Sequence, residues 1–219
     1  RMYLTTGFPA GVVVLDVSEV QARKPAPLIR ELGRVAWGGP ATIGQHTIPV
    51  TWGGKPYLVA VDEFAGEDIH IVDISDETKP RVVRQIQLEI SRPEHADLAA
   101  SETKGNGLFG YDAHYCSVDR RTDPTALACG FFQSGVRVFD VVDPRNPREI
   151  AYFNPPAQVG KNAQLLGSEH AAHGVTYIGN ASNVRDAGPT GVGFTGQPAD
   201  LTADWCSSPP RFVGKNQLW

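Results

Sequence analysis

Apolar residues in this chain fall in short alternating runs, separated by clusters of Gly, Pro and polar residues. In Val136-Arg137-Val138-Phe139 the two valines point one way and Arg137 the other. Ile69-His70-Ile71 repeats the pattern, with His70 as the polar member expected at the surface. This two-residue period predicts β-strands, and one arrangement of them occurs three times. The copies are MYLTTGFPAGVVVLDVSE with the following KPAPLIRELGRV, PYLVAVDEFAGEDIHIVDISDETKPRVVRQIQL, and TALACGFFQSGVRVFDVVDPRNPREIAYF. Each reads as an apolar strand, a turn, a strand ending on or near Asp, a Pro-containing turn and a third strand. The aspartates Asp16, Asp73 and Asp140 are 57 and 67 residues apart. Periods of this order mark solenoids, propellers or arrays.

A further strand precedes each of the two complete copies, beginning at His46 and at His114. His46 lies 27 residues before Asp73 and His114 lies 26 before Asp140, so the histidines read as equivalent. Gly174-Val175-Thr176-Tyr177-Ile178, after His170 and His173, reads as the opening of another unit. Four antiparallel strands per unit is what a propeller blade requires. The expected fold is therefore all-β: one β-propeller domain over 1–219, made of four-stranded antiparallel blades. Approximate blades are 1–37 (partial), 44–91, 111–156 and 170–219 (partial). The ring is expected to be partial, because both ends of the sequence break off in strand-like runs.

Composition changes this picture little. Apolar residues are 41% and charged residues 20%, ordinary for a chain that buries a core. The net charge of -4 gives no basic surplus for nucleic acid or an anionic membrane. No apolar run approaches the roughly 18 residues of a spanning helix, so no transmembrane segment is expected. The N-terminus does not read as a secretory signal. Nucleophile-elbow, Walker, HExxH and EF-hand patterns are all missing, and no cofactor is demanded. Asn180-Ala181-Ser182 fits a glycosylation sequon.

The segments GVRVFDVVDPRNPREIAYF and DIHIVDISDETKPRVVRQIQL resemble the LVIVD repeat of bacterial extracytoplasmic propellers. HYCSVDRRTDPTALACGFFQSGVRVFDVVDPRNPREIAYFNPP is similar to it over a whole blade. HTIPVTWGGKPYLVAVDE and ADWCSSPPRFVGKNQLW also look like such proteins. The resemblance is weakest over 92–110 and 160–203. It implies a β-propeller, usually exported, and hence an extracytoplasmic location: periplasmic, secreted or cell-surface. It carries no settled activity.

Three sets of residues could carry chemistry. If Val118 pairs with Leu127, then Cys116 faces Cys129 across two strands, the geometry of a structural disulfide. Buried free thiols or a redox or metal pair are the alternatives, and Cys206 is left over. His46, His114 and His173 could converge on a central channel and hold a transition metal. The plainer reading is that each bonds a neighbouring blade's backbone. Asp16, Asp73 and Asp140 read as acceptors for the turn that follows each, rather than as a carboxylate ring. Asp62 and Glu63, at a strand end, are expected to be solvated or at a channel mouth.

Two functions follow. The first is a binding or scaffold module for a protein or glycan, using loops that differ between units: Gly38 to Gln45, Ser91 to Tyr111 and Gln158 to His170. The second is a metal-dependent enzyme with a histidine-lined channel, architecturally like the selenium-binding-protein propellers.

Overall fold

The computed structural model describes residues 1–40, 42–63, 66–102, 110–132, 134–154, 209–213, 217 and 218. The expected strand at 174–178, His170, His173, Asn180 and Cys206 lie outside these residues.

The chain is all-β, built from three antiparallel sheets laid down in sequence order. The first has three strands: β1 (Met2–Thr6), β2 (Gly11–Asp16) and β3 (Arg30–Ala36). The second has four: β4 (Gly44–Trp52), β5 (Lys55–Asp62), β6 (Ile69–Asp73) and β7 (Arg81–Ile86). The third also has four: β8 (Ala113–Val118), β9 (Ala126–Phe131), β10 (Gly135–Asp140) and β11 (Arg148–Phe153). In every sheet each strand pairs with its predecessor in the chain. The order follows from short connections, since a two-to-five-residue turn can only return an antiparallel neighbour. Helix is confined to α1 (Ser18–Gln21), two 3-10 turns and α2 (Ala96–Glu102). Among the described residues no helix is long and apolar enough to cross a membrane.

The sheets stack through two apolar layers. Val12, with Tyr3, Val35 and Trp37 of the first sheet, packs on Leu58, Ala60, Val72 and Ile74 of the second. The opposite side of the second sheet, with Val59, Val61, Ile69 and Ile71, packs on Leu127, Cys129, Phe131 and Phe139 of the third. Glycine permits one close approach here: a Cβ on Gly33 would lie 2.6 Å from the Glu77 carbonyl oxygen across the first interface.

The middle sheet thus has no solvent side, which overturns the reading of His70. Alternation on β6 sorts side chains between two neighbouring sheets, not between core and water. His70 is only 2% exposed, and its ring stacks on Trp37 of the first sheet at 4.3 Å.

The aspartates close the second-to-third-strand turn of each sheet alike. Oδ1 of Asp16, Asp73 and Asp140 accepts the backbone N–H of Ser18, Ser75 and Val142 at 3.0, 2.9 and 3.0 Å. Each is also directly paired across the ladder with an arginine: Arg30, Arg81 or Arg148. Arg81 and Arg148 donate to Asp73 and Asp140 at 2.9 and 3.1 Å. Backbone and guanidinium donors hold the Asp73 carboxyl down to about 2, against the opposing effect of its burial.

Candidate functional site

The polar interior gathers at one end of the second and third sheets, where β5 ends, β4 and β8 begin, and the chain passes between the sheets. That passage, residues 87–112, carries two 3-10 turns and α2. The link from the first sheet to the second spans only 37–43. The site is therefore built where the units differ.

Asp68 joins the two ends of the long passage. Its Oδ2 accepts the N–H of Leu88 at 3.1 Å, and its Oδ1 that of Ala113 at 3.4 Å. It is almost wholly buried, and burial pushes its carboxyl up to about 8 against the pull of these donors. Gly66, at φ +67, lets the neighbouring turn come close: a Cβ there would sit 2.6 Å from the Ser91 carbonyl oxygen.

Asp62 and Glu63 are buried rather than solvated. The third sheet's passage covers the end of β5, so the strand end that looked like a channel mouth is closed. Asp62 accepts the Trp37 indole N–H at 3.0 Å. Glu63 lies 3.8 Å from His114 Nε2. Burial, with Asp112 and Asp62 nearby, raises the Glu63 carboxyl to about 7. Burial likewise raises Asp112 to about 6. These groups hold or release a proton near neutrality, and each can donate a hydrogen bond to a ligand when protonated.

His46 and His114 come together around Tyr115, with ring centroids 5.0 and 4.3 Å from it. Their strands do not make them equivalent. His46 pairs with Val61, and its counterpart in the third sheet, opposite Gly130, is Tyr115. His114 sits at a register shift between Ala113 and Tyr115, the place that Gln45 takes between Gly44 and His46. The spacings of 27 and 26 residues conceal this, because the turn between the second and third strands is two residues longer in the second sheet. Val61 to Ile69 spans eight residues where Gly130 to Val136 spans six.

His46 Nε2 accepts the N–H of Cys116 from the neighbouring sheet at 3.3 Å, which assigns the ring proton to Nδ1. That buried Nδ1 has no hydrogen-bond partner, and burial holds the imidazole below its ordinary value. Among the described residues, no group of three or more His, Cys, Asp or Glu side chains is placed to hold a metal ion. His173, the third expected ligand, lies outside them.

The register Val118–Leu127 sets Cys116 opposite Cys129, and the two form a disulfide with S–S 2.02 Å. It staples the inner strand of the third sheet to its neighbour inside the core, directly behind His46.

Beside the buried carboxyls lies a cleft of about 440 Å³ between the helical passage and the β5–β6 turn. Glu67, Gln87, Ile90, Arg92, Tyr111 and Asp112 are among its lining residues. Its size is that of a small-ligand site, about 300–1,000 Å³, and it combines an aromatic ring, apolar carbons, carboxyls and a guanidinium. Alternation along strands could not reveal Asp68, Tyr111 or Asp112. The one cue was the length of the insertion from Ser91 to Tyr111.

The chain matches no protein-family model and no curated protein sequence.

Proposed function

We propose that this chain is part of an extracytoplasmic β-propeller of the LVIVD-repeat type, acting as a binding module for a protein or glycan partner. The three stacked antiparallel sheets support a blade reading, and the buried disulfide supports an oxidising compartment. The observation that carries the binding role is the cleft under residues 87–112. It lies on the longest connection between described sheets, and an insertion on a repeated frame is where such proteins place recognition. A sugar ring suits it best: Tyr111 offers a stacking face, and Glu67, Arg92 and Asp112 offer hydrogen bonds to hydroxyls.

The test is a glycan array and a crosslinking pull-down with the full chain, repeated with Tyr111→Ala and Arg92→Ala. Each substitution is expected to weaken capture about tenfold, or about 1.4 kcal/mol. A panel that yields no specific ligand, or ligands held equally well by both variants, would overturn the reading.

A second reading rests on the unpartnered Nδ1 of His46 near His114: a metal-dependent enzyme using His46, His114 and His173. Elemental analysis after expression in metal-replete medium decides it. The reading expects near-stoichiometric metal that falls in His114→Ala, and less than about 0.1 metal per chain would end it.

A further inference from the structure

The two faces of the middle sheet are both covered, and the repeat shows what should cover the matching faces at the ends of the stack. Strand register aligns Val12, Ile69 and Val136, each four residues before its aspartate, and likewise Leu15, Val72 and Phe139, each one residue before it. Val12 faces the second sheet and Ile69 faces the third. Val136 occupies the same place on the far side of the third sheet. Leu58 and Val72 face the first sheet, and Phe139 faces the second. Leu15 occupies that place on the far side of the first.

Both interfaces are therefore the same interface used twice, head to tail. Each joins one kind of face to the other kind, as in a heterologous contact. The stack then ends in one unpaired face of each kind. On the first sheet this is Met2, Leu4, Val13 and Leu15, with Met2 and Leu4 45% and 43% exposed. On the third it is Val136, Val138, Ala151 and Phe153, with Phe153 68% exposed. Phe153 is directly opposite Val136. Its counterpart Ile86, opposite Ile69, is buried in the interface between the second and third sheets. At the inner margin of this face the Ser117 hydroxyl donates to the Pro210 carbonyl, while the outer half stays open.

We infer that these two end faces take each other, so that copies of this chain associate head to tail. The occupant of each face is a second copy, because that copy carries the complementary face in the register the two internal interfaces already use. This goes beyond the binding role of the cleft, which lies at the end of the sheets and not on these faces.

The test uses Leu4→Lys and Phe153→Lys, which place a charge on one end face each. Both positions are exposed, so neither change empties a packed site. Light scattering over a hundredfold concentration range is expected to show the parent chain growing beyond 23.6 kDa. Each variant alone should stay at the mass of one chain. A mixture of the two should reach twice that mass and stop, since each variant retains the face that the other lacks. A parent chain that is monomeric throughout would overturn the inference, as would a mixture that fails to double or variants that associate alone.

Discussion

Asp68→Ala is expected to destabilise the protein by about 4 kcal/mol, at about 2 kcal/mol for each of the two buried N–H groups it strands. Leu88 and Ala113 would lose their acceptor at the two ends of the 87–112 passage, and no water-filled space replaces it. Alanine would also sit at φ 52, a region that disfavours most L side chains by roughly 1 kcal/mol but suits Asn and Asp. Asp68→Asn keeps one acceptor and the backbone preference, and should lose less than half as much. Urea denaturation of the three proteins gives the comparison, and equal midpoints for all three would contradict the role assigned to Asp68.

The same residue sets a pH dependence. The Asp68 carboxyl ordinarily ionises near 3.8 and is raised to about 8 in the folded chain. Folding therefore takes up a proton between these values, and the stability this group contributes is lost as pH rises toward 8. Glu63 and Asp112, raised to about 7 and about 6, act in the same direction. His70, lowered to about 4 by burial, acts oppositely: its contribution is lost as pH falls below 6.5. Above pH 7 the carboxyls dominate, so stability should decline from there to pH 8.5, and Asp68→Asn should flatten the decline.

Breaking the Cys116–Cys129 disulfide is the second large effect. The bond closes a loop with a sequence separation of 13, and removing such a constraint from the unfolded chain costs about 3 kcal/mol. For a chain of this length that is a fall of roughly 6–12 °C in Tm. The paired Cys116→Ala, Cys129→Ala variant, melted beside the parent with and without reductant, measures it. Reductant should move the parent toward the variant and leave the variant where it was. A reductant shift of the same size in both would place the effect elsewhere.

The disulfide was legible in the sequence because it needs only two strands and a short turn. Once Val118 is set opposite Leu127, the period of two carries the register to the cysteines. His70 was misread for a related reason. Alternation tells which side of a strand a residue occupies, but not whether water or another sheet lies there. The buried carboxyls were harder still. Asp68 and Asp112 lie outside the alternating strands, and their burial depends on how an irregular passage folds back over the sheet ends. The arginine opposite each aspartate was available as the Pro-Arg of KPRV and NPRE and the Ile-Arg of PLIRE. It went unused because a cross-ladder partner is a register property, invisible until the third strand is aligned.

The two-residue difference between the β5–β6 and β9–β10 turns bears on how such units can diverge. A hairpin lengthened by two residues leaves every downstream side chain on its original face, whereas a change of one would exchange the faces of the whole strand. Tolerated insertions and deletions between these strands should therefore come in even steps. Odd steps would be confined to places such as Gln45 and His114, where an irregularity in the ladder absorbs the extra residue. A histidine in one unit and a tyrosine in the next can then share a position even though counting along the chain sets them one residue apart.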